Sequence, residues 1–98
     1  MNFIFEVTDK TGRKIHLSKE RWGEHIKLEH PHILDTIEIE ETLKNPDKLI
    51  NIEENISHYY KYFKYRNSKS KYLKVIVKYL NKHGFVITAY FERSIKTK

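Results

Sequence analysis

The chain has no cysteine, only three glycines and two prolines, and no long apolar run within its 98 residues. The absence of cysteine excludes disulfide bonds, thiolate metal sites and a cysteine nucleophile, and it fits a reducing cytoplasm. With so little glycine and proline, we expect no long disordered linker. No apolar run approaches the roughly 20 residues of a membrane span, and the N-terminus lacks the layout of a signal peptide. We therefore predict a single cytoplasmic domain over residues 1–98 that crosses no membrane.

Acidic residues are almost missing from residues 58–98. Glu92 is the only one there, against eleven of the nineteen Lys and Arg residues and all seven tyrosines. The segment has a net charge of +10, whereas residues 1–57 have a net charge of −4. Cations interleaved with aromatic rings favour a polyanion that has bases to stack, so the pattern predicts nucleic acid, and RNA especially, as a partner. A basic, solvated sheet face that only keeps a small protein soluble explains the same composition.

The alternation of apolar and polar residues predicts an α+β fold. Residues 2–17 have the pattern of a β-hairpin, and residues 19–29 and 33–44 have helical composition. Ser18 is a good N-cap for the first helix, and Pro46 follows the end of the second. Four β-rich stretches with short gaps come next, and such gaps favour an antiparallel meander. The expected architecture is an N-terminal β-hairpin and one or two helices packed on a four-stranded antiparallel sheet.

Strand alternation sorts the C-terminal side chains into two faces. In the last strand, every second residue from Phe85 to Phe91 is predicted to face the core, and Thr88 and Tyr90 are predicted on the opposite, more open face. In the preceding strand, Lys74 and Lys78 are predicted on that same open face. The result is a cationic surface with phenol groups, which suits contacts with phosphate. Tyr–Lys pairs also occur in ordinary sheets, and lysines on an edge strand deter aggregation.

Three histidines lie in or just after the predicted first helix. His25 falls beside the apolar stripe of that helix, at the boundary between core and solvent, where a histidine can be held and tuned for acid/base chemistry. His30 and His32 fall at the helix end, where the helix dipole alone explains them. Their cluster with Glu29 raises the question of a metal site. We expect no metal or other cofactor, because His25 and His30 are five residues apart and no His-Glu-x-x-His run exists.

Five short motifs follow one another along nearly the whole chain, from about Phe3 to Lys96. They are Arg21-Trp22-Gly23-Glu24-His25-Ile26, His30-Pro31, Glu41-Thr42-Leu43-Lys44-Asn45-Pro46-Asp47, Tyr59-Tyr60-Lys61 and Val86-Ile87-Thr88-Ala89-Tyr90-Phe91. In this order the set resembles the phage-encoded and toxin-associated branch of the barnase–EndoU–colicin–RelE-like (BECR) nuclease superfamily. The resemblance implies N-terminal helices on a four-stranded antiparallel sheet. It also implies a metal-independent endoribonuclease, toxin-like or phage-derived, with an antitoxin or immunity protein as a candidate partner.

The reaction that the resemblance implies is attack of the RNA 2′-hydroxyl on the adjacent phosphodiester, which leaves a 2′,3′-cyclic phosphate. His25 matches the helix histidine of the superfamily and would be the acid or base. Thr88 matches a hydroxyl of the last strand and would hydrogen-bond the phosphate, and Lys61 would supply positive charge. His30 would be a second acid/base or would only end the helix. The residues predicted to bind substrate are Tyr60, Tyr90, His30, Lys74 and Lys78.

Related folds often place an arginine or a second catalytic histidine in the sheet, and His58 and Arg66 are the candidates for that position. Two other functions fit the sequence. A non-catalytic module could bind RNA or DNA through the same basic surface, with affinity that falls steeply as salt rises. A protein-interaction module could instead use the acidic N-terminal part to bind a partner, or to bind the basic part of another copy.

Overall fold

A computed structural model of the chain describes residues 3–9, 12–26 and 36–95, which form one mixed β-sheet with helices against one face. The elements in chain order are β1 (Phe3–Thr8), β2 (Lys14–Ser18), α1 (Lys19–Arg21, continued by a π-helical turn, Trp22–Ile26), α2 (Thr36–Lys44), β3 (Lys48–Glu53), β4 (Ile56–Tyr62), β5 (Tyr72–Leu80) and β6 (His83–Glu92). The strand order in the sheet is β1-β2-β6-β5-β4-β3. Among the described residues, no helix has the length and apolar character needed to cross a membrane.

The α+β class is confirmed, but the predicted sheet was too small. Strands β3 to β6 form the expected antiparallel meander. The hairpin β1–β2 joins the same sheet, because β2 pairs in parallel with β6 from Lys14 opposite His83 to His16 opposite Phe85. Ile15 and Leu17 of β2 are fully buried, so the strand contributes directly to the core. The sheet therefore has six strands and is mixed, where four antiparallel strands were expected.

The helix boundaries agree with the capping pattern where the structure describes them. The Ser18 hydroxyl accepts a hydrogen bond from the Arg21 backbone N–H at 3.0 Å, which makes Ser18 the N-cap as predicted. The first helix is seen as α1 and the π-helical turn, and residues 27–29 of the prediction lie outside the described residues. The second helix, predicted over residues 33–44, is described from Thr36 to Lys44. Both helical segments supply buried apolar side chains to one core.

That core lies between the helices and one face of the sheet. Its fully buried apolar members are Ile15, Leu17, Ile26, Ile39, Leu73, Val75, Val77 and Ala89, with Tyr59 and Leu43 nearly so. In strand β5, the residues predicted to face the core do face it. In strand β6, only some of the residues predicted to face the core do so. A β-bulge places Val86 opposite Val77 in the core and Phe85 opposite Lys78 on the other face. The extra residue, Ile87, reverses the alternation, so the predicted faces hold only from Thr88 onward.

Candidate functional site

The face of the sheet that points away from the helices, here called the open face, carries ordered rows of side chains. Residues directly opposite each other on paired strands lie on the same face, so the strand register defines each row. Three neighbouring rows are Tyr62–Tyr72–Glu92, Lys48–Tyr60–Lys74–Tyr90 and Ile50–His58–Ile76–Thr88. Their polar members form what we call the Lys74 cluster, which comprises Lys74, Glu92, Tyr60, Tyr90, His58 and Thr88.

Lys74 is the charged centre of this cluster. Its Nζ lies 3.3 Å from Glu92 Oε1, and both side chains are only 10% exposed. The same atom lies 5.3 Å from the ring centroid of Tyr90 and 5.9 Å from that of Tyr60. Burial alone lowers the pKa of Lys74, but the hydrogen bond with Tyr90 and the negative charge of Glu92 outweigh it and raise that pKa above its ordinary value. The ammonium group therefore stays charged at neutral pH in a largely buried position.

Two hydroxyl groups of the cluster have unused hydrogen-bonding capacity. Tyr60 is fully buried, and within the described part of the chain neither its hydroxyl nor the buried Thr88 Oγ1 has a hydrogen-bond partner. A buried polar group without a partner costs about 1–3 kcal/mol, and such groups are rare in folded proteins. Tyr60 lies directly opposite Lys74, and Thr88 lies two residues from Tyr90 on the same face. A cation with one such hydroxyl opposite it and another in the next row is a set of donors of the kind that binds the oxygen atoms of an anion, and Glu92 already supplies one such oxygen.

His58 adds a group that can accept a proton. It is half-buried on the open face, two residues from Tyr60 along β4. Burial lowers the pKa of His58, the positive charge of Lys74 lowers it further, and the opposing charge of Glu92 does not restore it to 6.5. The imidazole is therefore neutral at pH 7, as a general base must be.

Lys61 does not join this cluster. It pairs with Leu73 on the face that the helices cover, because burial of Tyr59 in the core turns Lys61 to the same side. Its Nζ donates to the Asn45 carbonyl oxygen at 2.9 Å and lies 4.0 Å from Glu41 Oε2. Lys61 thus binds the C-terminal end of α2, where a cation is favourable. Thr88 lies on the opposite face, so the structure does not bring Lys61 and Thr88 to one phosphate.

The other sheet residues predicted as site residues share the open face. Tyr60, Lys74 and Tyr90 lie in one row. The alternation indicated this for Lys74 and Tyr90, but it left the face of Tyr60 open. Lys78 lies on the same face of β5, opposite Phe85. Arg66 lies in the loop between β4 and β5, with its guanidinium 3.5 Å above the Phe91 ring. Of the two candidates for a catalytic position in the sheet, only His58 lies in the cluster.

The histidines of the first helix are described only in part. The backbone of His25 lies in the π-helical turn, but its side chain is not among those that the structure describes. Glu29, His30 and His32 fall outside the described residues. Within the described ranges, no group of three His, Asp or Glu side chains is arranged to hold a metal ion.

Sequence reasoning missed Glu92 and a second polar group on the same face. The sequence contains a signal for Glu92, because it is the only acidic residue of the basic segment. Its spacing of two residues from Tyr90 and four from Thr88 also places it on their face of the strand. The second group is Glu6, His16 and His83. His16 Nε2 lies 3.2 Å from His83 Nδ1, and His16 Nδ1 lies 3.2 Å from Glu6 Oε2. No local pattern reveals it, because it depends on β6 pairing with β2.

Comparison of the chain with protein-family models, with curated proteins and with solved structures finds no match. The resemblance to the BECR superfamily therefore stays a prediction from the five motifs. The chemistry of the open face has to be inferred from the geometry of this chain.

Proposed function

We propose that the protein is a metal-independent endoribonuclease, toxin-like or phage-derived, with the Lys74 cluster as its active centre. One observation carries the proposal: a largely buried ammonium group and two buried hydroxyls, neither with a partner among the described residues, share a face with a neutral histidine. RNA cleavage by the substrate's own 2′-hydroxyl needs a base, an acid and donors for the charge on the phosphate. The cluster offers side chains of each kind, and the basic segment around it suits a polyanionic substrate.

In this proposal His58 takes the proton of the 2′-hydroxyl, and the 2′-oxygen attacks the adjacent phosphorus. The bond from phosphorus to the 5′-oxygen breaks, and Tyr90 gives that oxygen its proton. The products are a 2′,3′-cyclic phosphate and a 5′-hydroxyl, and exchange with water returns the proton from His58 to Tyr90. Lys74 binds the non-bridging oxygens, on which negative charge develops, and the buried hydroxyls of Tyr60 and Thr88 add their dipoles from the same face. Glu92 holds the Lys74 ammonium in place.

The test is cleavage of single-stranded and structured RNA in the presence of EDTA. Removing only one partner of a buried ion pair leaves an uncompensated charge, which threatens the fold. The informative variant is therefore the double substitution Lys74→Met with Glu92→Gln, and His58→Ala is assayed beside it. Each is expected to lower the cleavage rate by about 10²-fold or more, the usual contribution of acid–base catalysis. Circular dichroism and thermal unfolding establish that the variants are folded.

Lys61→Met is the matched control, because it removes the same ammonium group from the neighbouring strand but from the opposite face. It is expected to cleave RNA as the wild type does. The proposal is contradicted if the wild type does not cleave RNA, and salt-dependent binding without cleavage would then indicate a non-catalytic module. It is also contradicted if Lys61→Met and His25→Ala abolish cleavage while the cluster variants keep it. That result would return the active centre to the residues matched by resemblance alone.

A further inference from the structure

A cavity of about 300 Å³ opens on the open face where β2 and β6 separate. The two strands pair only from Lys14 opposite His83 to His16 opposite Phe85. Beyond that point Ser18 leads β2 into α1, and the bulge at Ile87 changes the course of β6. The volume lies at the lower end of the range of about 300–1,000 Å³ for ligand pockets. It suits one ring system with a small attached group. No member of the Lys74 cluster lines the cavity.

The cavity has an aromatic wall. The rings of Phe3 and His16 are stacked with their centroids 4.5 Å apart, and the Phe85 ring lies 5.5 Å from that of His16. His16 is buried, and this burial lowers its pKa. The Glu6 carboxylate opposes the shift, but His83 and Lys14 add to it, so the net pKa lies below 6.5. The imidazole is therefore uncharged at pH 7, and the wall is a neutral π surface of the kind on which nucleobases stack.

Two cations complete the lining. Arg21 reaches the cavity from α1 and Lys78 from β5, with Leu80 beside them. As far as the described residues form it, the lining contains no acidic side chain. A purely apolar ligand would leave both cations without a partner, and a bare phosphate would leave the aromatic wall unused. A planar aromatic ring that carries a phosphate matches both parts of the lining.

We propose that this cavity binds one nucleotide of the RNA substrate, with the base against Phe3, His16 and Phe85 and a phosphate at Arg21 and Lys78. The inference rests on the proposed function. Lys74 and Lys78 lie on the same face of β5 four residues apart, which is roughly 13 Å along a strand. A single strand of RNA that crosses the open face therefore contacts both the Lys74 cluster and the cavity. The base bound in the cavity determines which nucleotide lies near the cleaved bond.

The test is an NMR titration of the full chain with each of the four nucleoside 5′-monophosphates, the matching nucleosides and inorganic phosphate. At least one monophosphate is expected to bind, to shift the amide signals of Lys78, Leu80 and Phe85, and to bind more tightly than its nucleoside or phosphate alone. Leu80→Glu places a carboxylate beside the cations, and Leu80 is 52% exposed, so the fold tolerates the change. It is expected to weaken binding about tenfold.

Leu49→Glu is the matched control, because Leu49 is 42% exposed, lies on β3 and does not line the cavity. It adds the same charge and is expected to leave binding unchanged. The proposal is overturned if no nucleotide binds the wild type, if phosphate alone binds as tightly, or if both substitutions weaken binding equally. RNA cleavage separates this inference from the proposed function. Nucleotide binding without cleavage contradicts only the nuclease, whereas cleavage with an unchanged base preference in Leu80→Glu contradicts only the cavity.

Discussion

At the scale of single residues, stability does not explain the Lys74 cluster. A buried ion pair such as Lys74 with Glu92 can often be replaced by apolar side chains without loss of stability. The hydroxyls of Tyr60 and Thr88 are buried without a partner within the described ranges, which also costs stability. Proteins tolerate such costs mainly at functional sites. Several groups that lower the stability of the fold therefore lie together on one face, and this is the reason to place a function there.

The titration of His58 tests the electrostatics of the cluster. Its pKa is lowered below 6.5, first by burial and then by Lys74, whereas Glu92 raises it. Glu92→Gln is therefore expected to lower the pKa of His58 further, and Lys74→Gln is expected to raise it toward 6.5. Because the folded state holds His58 neutral, its contribution to stability is complete above pH 6.5 and is lost as the pH falls through the lowered pKa. Circular dichroism first establishes that each single variant is folded, and NMR titration of the imidazole carbon-bound protons then measures both shifts.

His16 is the internal control for that titration. Its lowered pKa comes from burial, His83 and Lys14 against Glu6, with no part from Lys74 or Glu92, so it should be the same in all three proteins. Shifts of the same sign in Glu92→Gln and Lys74→Gln would show that the two charges do not act on His58 as their positions indicate.

At the scale of elements, β6 connects the two parts of the open face. From Thr88 onward it supplies hydroxyl and carboxylate groups to the Lys74 cluster, and before the bulge it supplies Phe85 to the cavity. Its first residues also hold β2 in the sheet. The pairing of β2 with β6 brings neighbouring side chains close to Gly84. This residue is buried and lies opposite Tyr79 of β5 on one side and Ile15 of β2 on the other.

Gly84→Ala is expected to lower the free energy of unfolding by about 1–3 kcal/mol, the usual cost of overpacking. A Cβ atom at this position would lie 2.8 Å from Tyr79 Cε1 and 3.0 Å from Val77 Cγ1. Tyr79 cannot easily yield, because its hydroxyl donates to Asp9 Oδ2 at 3.1 Å and is hydrogen-bonded to Tyr59. Urea denaturation measures the change.

Gly23→Ala is the control for this substitution. A Cβ atom there meets nothing within 4 Å, and the residue lies in the π-helical turn. The free energy of unfolding should stay the same or rise by up to about 1 kcal/mol, because alanine favours helical backbone. Equal destabilisation by the two substitutions would contradict the assigned contact between Gly84 and Tyr79.

Local alternation was enough to predict some of these elements and could not predict others. Strand β5 was sorted correctly because its alternation has no interruption, and this placed Lys74 and Lys78 on one face. The bulge at Ile87 has no signature in the residues around it, so the faces of β6 were half wrong. The face of Lys61 could not be predicted, because both faces of β4 contain aromatic and basic residues. It depends on which tyrosine is buried in the core, and the structure shows that this is Tyr59. The cavity could not be predicted, because it depends on a parallel pairing between distant parts of the chain.

At the scale of the whole molecule, part of the charge asymmetry of the sequence appears as a difference between the two faces of the sheet. The basic segment forms β4, β5 and β6, the middle strands of the sheet, and presents Lys74 and Lys78 on the open face. Helix α2 covers the opposite face with three glutamates and one lysine. The exposed Lys78 therefore favours a polyanion on the open face, and the glutamates of α2 disfavour one beside that helix. Both proposals place RNA on the open face.

The salt dependence of RNA binding tests this orientation without relying on cleavage. A labelled single-stranded RNA with 2′-O-methyl groups has no free 2′-hydroxyl and cannot be cleaved by the proposed reaction. Its affinity for the protein can therefore be measured over a range of salt concentrations. Each phosphate contact of a single strand contributes about 0.7 to the slope of log affinity against log salt. Lys78→Gln is expected to reduce the slope by about that amount. Lys44→Gln removes the same formal charge from α2, on the other side of the molecule, and should leave the slope unchanged. If both substitutions reduced the slope equally, RNA would be held by the net charge of the whole protein, and the open face would have no special part in binding.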